Sequence, residues 1–158
     1  MKEYRVGLMS FNKTCAPEFE QTIGDLMSAL SNIVNKRHRL ALRDLDITAL
    51  QGIELSFIVQ EENNGGTSQS VVCELLSVTP PAVLKMTLEL EEKGLVFRTD
   101  NPNDKRSQLL FPTEEGKRVS AEFRRTIIEA DRKIYAVCSE EEKQLLLEIL
   151  SKVVQSNR

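Results

Sequence analysis

The sequence predicts a mainly α-helical fold with one small β-hairpin. Three observations lead there. Apolar residues recur every three or four positions along most of the chain, as in helices that bury one face. Residues suited to capping stand where several of those stripes begin, at Thr48, Thr79, Thr113 and Ser139. One stretch reads as strands: Phe97 to Phe111, FRTDNPNDKRSQLLF, has apolar-edged arms around a tip of Asp, Asn, Pro, Lys and Arg.

The elements follow in order. Phe19, Ile23, Leu26, Met27, Leu30, Ile33 and Val34 form the stripe of a long amphipathic helix continuing toward His38 or Leu42. A second helix starts at Thr48, where Gln51 three residues on completes a capping box, and carries Ile53, Leu55, Phe57, Ile58 and Val59. Asn63-Asn64-Gly65-Gly66 is the clearest loop in the chain. A short third helix spans roughly Ser68 to Leu76, and Ser77-Val78-Thr79 turns into a fourth. Thr79 is suited to cap that fourth helix, and Pro80 and Pro81 fall in its first turn, where a missing N–H costs nothing. Val83, Met86 or Thr87, and Leu90 supply its buried stripe, and Gly94 ends it. Beyond the hairpin, Thr113 opens a helix with Val119, Phe123, Ile127, Ala130, Ile134 and Val137 in register. Ser139 and Glu142 form a second capping box, and the last helix carries Leu145, Leu146, Ile149, Leu150 and Val153.

A short helix, a three-residue turn and a second helix make a helix-turn-helix, and a hairpin directly after it makes a winged one. In that arrangement helix 79–93 enters the major groove of double-stranded DNA. The wing, 98–107, lies in or near the minor groove with Arg106 at its tip. The residues expected to meet DNA are Ser68 and Gln69 at the start of the third helix, Thr79, Ala82 and Lys85 on the fourth, and Arg98, Asn103, Lys105 and Arg106 in the wing. Pro81, Ala82 and Leu84 stand where side chains with hydrogen-bonding groups would ordinarily read base edges.

With 158 residues, 41% hydrophobic and 28% charged, the chain suits a single domain, 1–158, built around a lobe at 48–112. The helices at 15–45 and 113–158 carry more apolar positions than one small winged lobe can cover, which points to a homodimer. No apolar run nears the ~18 residues of a membrane span, and the start, MKEYRVGLMS, does not read as a signal peptide, so a cytoplasmic protein is expected. Cys15, Cys73 and Cys138 are an odd, widely spaced set with no CxxC, which argues against a disulfide framework or a zinc site. A single His, and the lack of phosphate-loop, nucleophile-elbow or paired-ligand motifs, argue against an enzyme; no metal or cofactor is expected. His38, among Lys36, Arg37 and Arg39, reads first as a solvated basic helix end, with an anion site or pH sensor as the alternatives.

The stretch LELEEKGLVFRTDNPNDKRSQLLFPTEEGKRV, Leu88 to Val119, resembles the signature of MarR-type transcriptional regulators. Leu90, Glu91, Gly94, Leu95, Val96 and Arg98 match its first part. Asp100, Pro102, Asp104, Arg106 and Ser107 match its second, with Asn101 set between Asp100 and Pro102, and Thr113, Glu115 and Gly116 match its third. The resemblance implies a dimer, most often a repressor, acting on a pseudo-palindromic operator and responding to a small-molecule effector whose identity the sequence does not name. It also implies that Asp104 orients the wing Arg106, and it makes Cys15 a candidate redox sensor by comparison with oxidant-sensing members. A winged-helix protein-interaction module that no longer reads DNA is the alternative, because of Pro81, Ala82, Leu84 and Glu89.

Overall fold

The computed structural model describes residues 22–104 and 106–157. They fall into two units that meet along the chain between Ile33 and Val34. Cys15, Lys105 and the Phe19 end of the first predicted stripe lie outside the described residues.

Helix α1 runs Ile23–Ala41. Its start is fixed locally: Thr22 Oγ1 accepts from the Asp25 amide at 3.2 Å, and Asp25 Oδ2 accepts from the Thr22 amide at 3.0 Å. Ile23, Leu26, Met27 and Ile33 are exposed on it. In the second unit, α1 ends at a 3-10 turn, Arg43–Leu45, and α2 spans Ala49–Glu61. Both halves of the Thr48/Gln51 capping box are made, at 2.8 and 3.2 Å. Strand β1, Thr67–Ser68, leads into α3, Gln69–Leu76. Helix α4 spans Pro80–Glu92, followed by β2, Val96–Asp100, and β3, Gln108–Pro112. Helices α5, Glu114–Ile134, and α6, Glu140–Ser156, close the chain.

The mainly helical expectation holds, with one addition. The sheet has three antiparallel strands in the order β1-β3-β2, because Thr67 and Ser68 pair with Leu110 and Leu109. Ser68 is therefore a strand residue at the N-cap of α3, not part of that helix. The hairpin pairs Val96 with Pro112 through to Asp100 with Gln108, and the Phe97 and Phe111 rings stack at its base, 5.8 Å between centroids.

Three local expectations need correction. Thr79 sits at the N-cap of α4 but its side chain makes no capping bond: Pro81 removes the N2 amide, and the N3 amide, that of Ala82, donates to the Thr79 carbonyl at 3.0 Å. Val137 lies beyond the end of α5 and is 91% exposed. His38 is not a solvated helix end: its side chain is 15% exposed and its Nε2 lies 2.7 Å from Asp131 Oδ1 on α5.

Leu55, Ile58, Val72, Val83, Leu90 and Leu110 are fully buried at the centre of the lobe, with Leu95, Val96, Val119 and Phe123 around them. This core joins α2, α3, α4, the sheet and the first half of α5, so the helix pair and the wing rest on one packed support. No single described helix is long and apolar enough to cross a membrane.

Candidate nucleic-acid interface

The helix pair comes first. Helices α3 and α4 meet at a break bent by 113°, within the range of a helix-turn-helix. Ser77 makes the bend in the left-handed region, φ 53°, with its amide and that of Val78 returning to Glu74 and Cys73 carbonyls. Packing then fixes which side of α4 faces outward. Val83, Thr87 and Leu90 point into the core, leaving Pro81, Ala82, Leu84, Lys85 and Leu88 exposed.

The junction between α4 and the wing is tightly specified. The Gly94 amide donates to the Glu91 carbonyl at 2.8 Å and the Leu95 amide to the Leu90 carbonyl at 2.9 Å, the paired bonds of a Schellman stop. Gly94 adopts φ 67°, which lets the chain leave the helix directly into β2. Arg98 then folds back: its Nη2 lies 2.6 Å from Glu91 Oε2, so the wing base is tied by charge to the last turn of α4. In this geometry Arg98 braces the wing base against α4. Both side chains are mostly covered, 20% and 27% exposed, so breaking the pair leaves a poorly solvated charge. Glu91→Ala is expected to lower stability by about 1–2 kcal/mol, read from the urea midpoint, whereas Glu92→Ala on the exposed side should change it by less than about 0.5 kcal/mol.

The wing tip is held by its own side chains. Asn101 Nδ2 donates to Ser107 Oγ at 2.8 Å, and Asn101 Oδ1 accepts from the Asn103 amide at 2.9 Å. Asp104 Oδ1 accepts from the Arg106 main-chain amide at 2.9 Å. Asp104 thus reaches Arg106 through its backbone, as an Asx turn. The Arg106 side chain is exposed and makes no hydrogen bond or ion pair with any described residue.

Four of the residues singled out in the sequence converge. Ser68, Gln69, Arg98 and Arg106 line one cleft of about 300 Å³ between the start of α3 and the wing, together with Ser70, Ser107 and Gln108. Gln69 Nε2 and Arg98 Nε are buried there without an acceptor among the described residues. Thr79, Ala82 and Lys85 lie apart from it on the outer side of α4; Lys85 is 79% exposed and 3.9 Å from Glu89. Glu89 is drawn back to α2 by Gln51 Nε2 at 2.5 Å. Asn103 is exposed at the tip.

Two features escape the sequence reading. Ser70 and Gln108 join the cleft only because β1 pairs with β3 across some forty residues of chain. Glu54 on α2 is fully buried, with Oε1 2.6 Å from Thr87 Oγ1 on α4 and Oε2 without a partner among the described residues. Burial pushes its carboxyl up to about 7, against the smaller opposing effect of the Thr87 hydroxyl.

Comparison with known proteins agrees with this geometry. The model of the MarR family matches residues 59–108, from the end of α2 to the first residue of β3. A Thauera aromatica protein described as a transcriptional regulator for the hcr operon is 30% identical over 95 residues, covering 60% of this chain and 57% of its own length. The HTH-type transcriptional regulator YybA of Bacillus subtilis is 28% identical over 131 residues, 83% of each chain. Among solved structures, the S. aureus MepR–DNA complex superposes with a TM-score of 0.76 at 26% identity, covering 87% of this chain and 99% of that one. These similarities fall on the winged helix-turn-helix, and there the chain is similar to transcriptional regulators of the MarR family.

Proposed function

We propose that this regulator is a dimeric, ligand-responsive repressor that binds a pseudo-palindromic DNA operator through α4 in the major groove and the wing in or near the minor groove. The observation that carries this reading is the wing itself: a tip braced by Asn101, Asp104 and Ser107 presents an unpaired Arg106 beside the start of α3. A cation held out from a rigid turn is suited to the negative potential of a narrow minor groove. The similarity to MepR, whose solved structure is a DNA complex, supports the same assignment.

In this proposal Ser68, Gln69, Arg98, Asn103, Lys105 and Arg106 meet the backbone or minor groove, and Thr79, Ala82 and Lys85 the major groove. Residues 48–112 form the DNA-reading lobe, and 15–45 and 113–158 the dimerisation helices of one domain. Exposed Leu145, Leu147, Ile149, Val153 and Val154 on α6, and Ile23, Leu26 and Met27 on α1, supply apolar surface for a second copy to cover. A cleft of about 940 Å³ lined by Leu40, Ala41 and Ile128 with Arg37, Arg125 and Arg132 is suited to a small anionic effector. Such a protein works on DNA in the cytoplasm.

Exposed Leu84 and Leu88 favour a second reading, a winged-helix module that docks a protein. Selection from a random duplex library, followed by anisotropy titration of the enriched and a scrambled duplex, separates the two. The regulator reading expects an enriched sequence with two-fold symmetry, bound at least tenfold more tightly than the scrambled one. Equal, weak binding to both favours the module.

A further inference from the structure

We propose that α4 reads its operator mainly through apolar contact with thymine 5-methyl groups, using Pro81, Leu84 and Leu88. This rests on the reading that α4 enters the major groove. The outer side of α4 is unusual for that task. Its first two turns expose Pro80, Pro81, Ala82, Leu84 and Lys85, so after Thr79 only Lys85 offers hydrogen-bond donors to a base edge. Leu84 and Leu88 are 42% and 43% exposed, on the side of α4 away from buried Val83, Thr87 and Leu90. Pro81, Leu84 and Leu88 share one shallow depression with Lys85.

Of the four base pairs' major-groove edges, only those with thymine carry an apolar group, the 5-methyl. A donor-poor ridge therefore has one favourable partner. Against G·C it does the opposite: it strips water from the cytosine amino group and the guanine acceptors and returns no hydrogen bond, which costs binding free energy. Specificity then comes from attraction to thymine together with rejection of G·C. Lys85, 79% exposed, supplies the cation beside these residues; of the two carboxylates at the same depression, Glu89 is bonded to Gln51 on α2 and Glu92 stands at its far end.

The test uses the full-length protein and the duplex enriched by selection, resynthesised with deoxyuridine in place of thymidine in each half-site. Watson–Crick pairing and the O4 acceptor are kept; only the methyl is lost. Wild-type protein is expected to bind about fourfold more weakly for each contacted methyl removed, from the ~0.8 kcal/mol of burying one such group. The Leu84→Ala/Leu88→Ala variant, changed only at exposed positions, is expected to lose most of this discrimination between thymidine and deoxyuridine duplexes, keeping only what Pro81 supplies. Equal wild-type affinity for the two duplexes overturns methyl reading while leaving DNA binding in place. A variant that stays as sensitive to uracil as wild type overturns the assignment to Leu84 and Leu88. If selection enriches no duplex, methyl reading falls together with the regulator reading it rests on.

Discussion

Gly116→Ala is expected to destabilise the lobe by about 3 kcal/mol. Taken as a helix substitution alone, it should do the reverse, since Ala is favoured over Gly by about 1 kcal/mol in a helix interior. Contact reverses the sign. A Cβ on Gly116 would run into the Leu95 carbonyl oxygen, a main-chain atom with no rotamer to adopt. That oxygen is also fixed, because it accepts from the Thr113 amide at 3.0 Å where the wing base meets the start of α5. Thr113 Oγ1 in turn accepts from the Gly116 amide at 3.0 Å, so moving α5 away breaks its own cap. Equilibrium urea unfolding, with far-UV circular dichroism to show an intact native baseline, measures the loss. A stability gain would show that α5 does not approach the Leu95 carbonyl this closely.

The second large effect is a pH dependence carried by Glu54. Thr87 Oγ1 lies 2.6 Å from Glu54 Oε1 and 3.0 Å from the Val83 carbonyl, two acceptors competing for one hydroxyl proton. A protonated Glu54 satisfies both, donating to Thr87 while Thr87 donates to Val83. Ionised, it is a fully buried charge with one partner. The folded value of about 7 stands above the ordinary 4.5, so between those values the native state holds the extra proton. Stability from this group is accordingly complete below about pH 4.5 and is lost as pH rises through 7, a fall of roughly 3 kcal/mol. Glu115, Glu140 and Glu141, held below their ordinary values chiefly by hydrogen bonds (to Arg118, to Lys143, and to the Glu141 backbone amide), act in the opposite sense. Their contributions are lost only as pH falls below 4.5. Glu54→Gln is expected to flatten the decline between pH 5 and 9 and to be the more stable protein at pH 9. Parallel pH profiles for wild type and variant would contradict this.

Much of the fold is legible in the sequence because its signals are local. Both capping boxes, Pro80-Pro81 at the start of α4 and Gly94 after its end are made by residues a few positions apart, and each forms as read. What escapes is set by contacts distant in the chain. Thr67 and Ser68 have no strand pattern of their own and become a strand only by pairing with Leu110 and Leu109. His38, surrounded in sequence by cations, finds Asp131 across the helix pair. Arg98 and Glu91 meet across a Schellman turn that no linear spacing anticipates. At the candidate interface, the sequence singles out the wing and Arg106 but not the cleft linking Arg106 to Ser68 and Gln69, because that proximity depends on β1. Asp104 is a case between the two: the residue pair is visible in the sequence, while only the structure shows that the bond runs to the Arg106 main-chain amide.

The central claim is that Arg106 contacts DNA from a rigid wing, and a salt series tests it most directly. Wild type and Arg106→Ala are titrated onto the selected duplex by fluorescence anisotropy at increasing salt. The variant is expected to bind about tenfold more weakly, with the slope of log K against log salt shallower by about two, one for each wing of a dimer. Because the Arg106 side chain makes no hydrogen bond or ion pair with any described residue, its loss should leave the urea midpoint unchanged. Equal affinity and equal slope for the two proteins would contradict the account and move the search for a partner from DNA to protein.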